Sequence, residues 1–285
     1  MTTHVELARS GIVRANRQEL YYEVHGEGPP LVLVMGIGYD SSLWTLEQVP
    51  TLSKHFKVIL VDNRDTGRSS NACRPYTIAD MADDVVGLLN ALEIDRTHLL
   101  GLSMGGMIAL EFALRHAERL NRLVLSGTGA APARNAVDPI QIWNWVKAND
   151  ATGEVFAGQQ LVSLFSSAFL RNHEAVRNTA QLLASNPYPM SPDAYGRQAD
   201  AYRQFDALDR LAGITAPTLV LVGEQDLLTP PWIVREVATA IPGARLDVIK
   251  GPGSSHVVPI ERPEDFNRLV LDFLADEVDS TRLAR

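Results

Sequence analysis

The sequence predicts an α/β fold: a mainly parallel central sheet flanked by helices and interrupted once by an inserted helical segment. Three observations carry this prediction. Short apolar strands alternate with helical patterns from about residue 31 to residue 126. The strand signal then disappears between about Ala130 and Phe205, and it resumes at Pro217. Residues 1–129 and 206–285 are therefore expected to form one α/β core, with 130–205 as a helical cap inserted into it.

In chain order, Val5–Val13 and Glu19–His25 alternate in polarity and read as an antiparallel hairpin, closed by the turn-rich Gly26-Glu27-Gly28-Pro29-Pro30. Leu31-Val32-Leu33-Val34-Met35 is a continuous apolar run, as expected of a strand buried on both faces. A helix over Ser42–Ser53 follows, then a strand over Lys57–Asp62 and a helix over Thr77–Leu92. Thr97–Leu102 is the next strand, Met104–His116 the next helix and Leu120–Ser126 another strand. This order implies right-handed crossovers and parallel pairing. The segment after Ser126 carries Trp143, Trp145, Phe156, Phe165 and Phe169 at helical spacings, where aromatics more often build core than pocket. Beyond it come a strand over Pro217–Gly223, a helix over Pro231–Ala240, a strand over Arg245–Ile249 and a closing helix over Glu261–Glu277. The tail after Val278 is expected to fray.

Composition narrows the function classes. A net charge of −8, with no run of Lys and Arg, disfavours nucleic-acid and anionic-membrane partners. The stretch Met1–Leu20 lacks the apolar centre of a secretory signal, and nothing approaches the roughly 20 apolar residues of a membrane span. Cys73 is the sole cysteine, so no intrachain disulfide forms. The expectation is a cytoplasmic enzyme acting on a small molecule.

The chemistry points first to Ser103. Thr97-His98-Leu99-Leu100-Gly101-Leu102-Ser103-Met104-Gly105-Gly106-Met107 runs from a strand through G-x-S-x-G directly into a helix. In such an elbow the serine adopts a strained backbone, small neighbours let strand and helix approach, and the hydroxyl stands at the carboxyl end of the sheet. The alternative is a serine that merely caps the following helix.

Several ordered motifs make the chain resemble the α/β-hydrolase superfamily from about Leu20 to Leu274. Leu31 to Gly38 is similar to the family's apolar strand and H-G-x-G oxyanion loop, with Met35 where histidine is usual. Asp62-Asn63-Arg64-Asp65-Thr66-Gly67-Arg68-Ser69 resembles the D-x-R-G-x-G-x-S turn, with Asp65 in place of glycine; it reads as a structural turn held by Arg64 and Arg68. Its Asp-Thr pair is similar to anthracycline methyl esterases of the aclacinomycin methylesterase type. Ser255-His256-Val257-Val258-Pro259-Ile260-Glu261-Arg262-Pro263 resembles G-H-x-x-x-x-E-x-P, with Ser255 replacing glycine, and its Glu-Arg-Pro step is expected to start the last helix.

The resemblance implies a triad in the order serine, acid, histidine. Asp226 follows the strand Thr218–Gly223, and the likeness of Gly223-Glu224-Gln225-Asp226 to the family's G-x-x-D turn favours it over its neighbour Glu224. His256 lies in the loop after the last strand and is the expected base. The family's oxyanion donors map onto the backbone N–H groups of Ile37 and Met104. No metal or organic cofactor is implied. The reaction expected is hydrolysis of a carboxylic ester or lactone through an acyl-Ser103 intermediate. The same constellation also serves carbon–carbon bond hydrolysis and cofactor-free haloperoxidase or perhydrolase reactions, and the scaffold can serve a non-hydrolytic ligand-binding protein or a cyclase.

Overall fold

The computed structural model describes residues 7–132, 139–150 and 153–282. Eight strands form a single sheet: β1 (Leu7–Ala15), β2 (Gln18–His25), β3 (Pro30–Val34), β4 (Lys57–Val61), β5 (Thr97–Leu102), β6 (Leu120–Ser126), β7 (Thr218–Gly223) and β8 (Arg245–Ile249). Their spatial order is β1-β2-β4-β3-β5-β6-β7-β8. The hairpin β1–β2 and the β2–β4 pair are antiparallel, and every pairing from β4 onward is parallel. Val5 and Glu6, where the first strand is expected to open, lie outside the described residues.

The continuous apolar runs of the central strands have the burial that both-faced packing demands. Val32 and Val34 of β3 join one core cluster, while Leu31 and Leu33 join a second on the opposite face. Helices α1 (Trp44–Leu52) and α11 (Pro263–Arg282) cover the second face through Trp44, Val49, Leu52, Phe266, Val270 and Leu274. Helices α2 (Ile78–Ala91), α3 (Met104–Arg115) and α9 (Pro231–Ala240) cover the first. Thr77 and Asp80 start α2 with a reciprocal capping box, which places the helix one residue later than its apolar pattern suggests.

Between β6 and β7 lie α4 (Pro139–Asn149), α5 (Glu154–Leu164), α6 (Ser167–Leu170), α7 (His173–Ala184) and α8 (Pro192–Gln204). Their buried residues, among them Ile140, Trp143, Leu161 and Tyr195, are continuous with the first core cluster.

The closing helix differs from its sequence expectation. A short helix α10 (Val258–Glu261) ends at Arg262, whose φ of −134° and ψ of 54° are non-helical, and α11 begins at Pro263. The ring of a proline disfavours helical backbone in the residue before it, so the chain breaks there rather than running through from Glu261. At its other end α11 continues to Arg282, past the Val278 where fraying is expected. Among the described residues, no helix is long and apolar enough to cross a membrane.

Parallel register brings one end of each strand to a common edge. Val34 pairs with Gly101, Leu102 with Ser126, Ser126 with Leu221, and Gly223 with Ile249. The loops leaving these ends carry Ile37, Ser103, Asp226 and His256, in agreement with the rule that α/β sheets build sites outside their carboxyl edge.

Candidate active site

Ser103 sits between β5 and α3 with φ 56° and ψ −121°, a left-handed conformation uncommon for a residue with a side chain. Its neighbours hold it there. The Ser103 N–H donates to the Ser126 carbonyl at 2.9 Å, and its own carbonyl accepts from Gly106 N–H at 2.8 Å. A Cβ on Gly105 would come within 2.2 Å of the Val34 carbonyl oxygen, so strand and helix approach as closely as they do only because that residue has no side chain. The Ser103 hydroxyl makes no capping bond to α3. The helix-cap alternative therefore fails on geometry, and the hydroxyl is left for another use.

The structure joins the two other sequence candidates directly. His256 Nδ1 lies 2.8 Å from Asp226 Oδ2, and both residues are buried. The second carboxylate oxygen, Oδ1, accepts from the backbone N–H groups of Leu228 and Thr229 at 2.9 and 2.8 Å, which fixes the plane of the acid. A carboxylate accepts, so Nδ1 carries the shared proton, and in the neutral ring Nε2 is then the acceptor. The backbone closes around this pair: a Cβ at Gly127, where φ is +52°, would lie 3.2 Å from both Asp226 Oδ2 and His256 Cε1. Glu224, the rival acid, is exposed and accepts from Gly251 N–H at 3.1 Å.

The loop after β3 carries Ile37, and Met104 opens α3. Gly36 packs against Ser103; a Cβ there would stand 3.1 Å from Ser103 Cβ. Among the described residues, no protein group accepts from the N–H of Ile37 or of Met104. Asn63 donates to the Met35 carbonyl at 3.0 Å and braces the loop where the family's histidine is missing. Reading the Asp62-Asn63-Arg64 turn through its arginines passes over Asn63. Those arginines do hold the turn: Arg64 is buried in a two-pronged pair with Asp84, both contacts at 2.7 Å, and Arg68 bridges Asp62 and Glu23.

Ser103 and His256 line one cavity, whose other walls are nearly all apolar. Trp44 from α1, Trp143 from α4, Phe165 just before α6 and Phe169 within it all contribute, the last two stacked with centroids 4.2 Å apart. Of the five aromatics noted in this segment, Phe156 instead packs edge-on against Tyr195, and Trp145 is exposed. Three polar atoms in residues of the cavity wall are buried without a hydrogen-bond partner among the described residues: the Tyr39 hydroxyl, Trp44 Nε1 and Gln48 Oε1. Burial raises the phenol pKa of Tyr39, which keeps it a hydrogen-bond donor at neutral pH. Nothing in the local sequence separates these three from ordinary helix-packing residues. Among the described residues, no three or more His, Cys, Asp and Glu side chains gather as a metal site.

Comparison with known proteins agrees with this architecture. Residues 29–263 match the family model described as alpha/beta hydrolase fold. The chain is 33% identical over 264 residues to a protein named for carbamate hydrolysis, RutD, from Caulobacter sp. strain K31, spanning 90% of this chain and 96% of that one. The structure of an enol-lactonase from Burkholderia xenovorans LB400 superposes with a TM-score of 0.82 at 32% identity, covering 93% of this chain and all of the other. A thermophilic esterase from Thermogutta terrifontis gives the same TM-score at 30% identity, over 94% and 99% of the two chains. Sheet order, the strand-to-helix elbow and these matches agree: the chain belongs to the α/β-hydrolase family.

Proposed function

We propose that the protein is a serine hydrolase that cleaves a carboxylic ester or lactone of a small, largely apolar substrate through an acyl-Ser103 intermediate. The observation that carries this reading is the buried Asp226–His256 pair, whose histidine lines the same cavity as a strained serine with a hydroxyl not used as a helix cap. The similar enol-lactonase and esterase support the substrate class by their names. Residues 130–205 act as the cap, supplying Trp143, Phe165 and Phe169 to the apolar wall.

Ser103 Oγ attacks the carbonyl carbon as its proton passes to His256 Nε2. Asp226 holds the imidazole in the tautomer that accepts this proton and stabilises the imidazolium that results. The carbonyl oxygen, now anionic, takes hydrogen bonds from the N–H groups of Ile37 and Met104. Collapse breaks the C–O bond, and His256 returns the proton to the leaving alkoxide; in a lactone that alkoxide stays attached to the acyl group. Water then attacks the acyl-serine with His256 again as base, releasing the acid and free Ser103.

The test is covalent. A fluorophosphonate probe should label Ser103 in the wild type and fail to label it in His256→Ala. Ser103→Ala should lower turnover of p-nitrophenyl butyrate by roughly three orders of magnitude. An unlabelled Ser103 in folded wild-type protein, or comparable turnover by Ser103→Ala, removes the assignment.

A further inference from the structure

One side chain from the helices between β6 and β7 reaches the loop that carries the candidate oxyanion donor. Gln198 of α8 is fully buried. Its Oε1 accepts from Gly38 N–H at 3.0 Å, and its Nε2 donates to the Arg64 carbonyl at 3.0 Å. A single amide thus ties the loop after β3 to the turn after β4. Tyr195, one turn earlier on the same helix, lies against that loop as well: a Cβ on Gly38 would come within 2.9 Å of its ring.

The residue before Gln198 on α8 anchors the helix. Arg197 makes a two-pronged pair with Asp65, at 2.9 and 2.7 Å. Asp65 also accepts from Ala72 N–H at 2.8 Å and holds φ at +70°. A glycine would adopt that backbone without strain, yet an aspartate occupies it. Its carboxylate is what the arginine grips.

The geometry points to Gln198 as a positioning residue for the hydrolytic reaction: by holding Gly38 N–H it orients the adjoining Ile37 peptide toward the developing oxyanion, while the Arg197–Asp65 pair seats α8. This rests on the Ser103 reading above. The peptide between Ile37 and Gly38 is planar, so fixing its N–H restricts the turn that presents the Ile37 N–H. Gly38 N–H is itself taken by Gln198, whereas the neighbouring Ile37 N–H has no acceptor among the described residues. The amide bonds are made with the protein rather than the substrate, so their loss should act on the transition state, where the oxyanion exists, more than on ground-state binding.

Gln198→Leu and Arg197→Ala should be compared with wild type for p-nitrophenyl butyrate turnover, melting temperature and rate of fluorophosphonate labelling. The expected result is a kcat at least tenfold lower in Gln198→Leu, with KM within threefold and labelling slowed in proportion, because phosphonylation uses the same donors. Removal of an oxyanion donor outright costs about 100- to 1,000-fold, and a misplaced one should cost less. Arg197→Ala, which leaves the core intact, should lower kcat about threefold or more, and it decides the matter if Gln198→Leu does not fold. A lower melting temperature with kcat within twofold of wild type, measured where the variants are folded, would show a purely structural amide and overturn the proposal. Failure of the Ser103 reading is seen separately, as absence of labelling in the wild type.

Discussion

Ser103 carries backbone strain of a kind that costs of order 1–3 kcal/mol. Ser103→Gly is therefore expected to be inactive yet more stable by about 1 kcal/mol, since relief of strain exceeds the added chain entropy of glycine. Urea denaturation checks this, and a clear loss of stability would mean the elbow is unstrained. Gly127 poses the opposite constraint. Gly127→Ala puts a methyl group 3.2 Å from Asp226 Oδ2 and from His256 Cε1, at a φ of +52°. Turnover should fall at least tenfold, with a stability loss of about 1–2 kcal/mol, as small overpacking changes give. Ser103, Asp226 and His256 could each be picked out in the sequence as site candidates, the first two because they follow strands with continuous apolar runs and the third because its loop resembles a family motif. Gln198 and Asn63 could not. Their roles arise from partners distant in sequence, 160 positions away in the case of Gln198, and an isolated amide gives no local signal of what it will meet.

At the level of elements, the central strands and α3 fall within a residue of their sequence boundaries, since continuous apolar runs and an elbow mark both ends. The Glu-Arg-Pro step did mark the start of the closing helix, but a proline fits a first turn as well as it breaks a preceding one, so the break at Arg262 was not legible. The helices α4 to α8 were visible as helices without a visible packing partner, because aromatic spacing on a helix is the same whether it faces a core or a cavity. Glu261 shows how one such partner is made. It ends α10, accepts from Ser166 N–H at 2.9 Å and Ser166 Oγ at 2.6 Å just before α6, and also accepts from Ser255 Oγ next to the base. Glu261→Ala leaves these donors without their acceptor. A stability loss of about 1–3 kcal/mol is expected, together with slower ester turnover as the His256 loop loosens. Thermal melts and steady-state kinetics read the two effects, and unchanged values in both would mean water replaces the carboxylate at no loss.

Across the whole molecule, a polar network ties the antiparallel edge to the turn after β4. Glu23 on β2 bonds His25 Nε2 at 3.0 Å and Arg68 at 2.8 Å, and Arg68 continues to Asp62. The bond from His25, with help from Arg68 and Tyr21, lowers the Glu23 pKa from 4.5 to about 2. A carboxylate depressed on folding stabilises the protein above its unfolded pKa and loses that contribution as pH falls through the folded one. The stability gap between wild type and Glu23→Gln should thus be full above pH 5, on the order of 1–2 kcal/mol after solvent screening, and should narrow steadily toward pH 2. Urea midpoints taken across that range test the sign, and a gap that widens in acid refutes it. The order in which the site is assembled has a further consequence. Ser103 lies in residues 1–129, whereas Asp226 and His256 lie in 206–285, on the far side in sequence of the helices that wall the cavity. If Ser103 acts with Asp226 and His256 as proposed, a nascent chain exposes its serine long before the other two have been synthesised, and it should stay chemically inert until the last strands dock. Chains severed between the two segments should hydrolyse nothing apart, and should regain turnover only when mixed and refolded together.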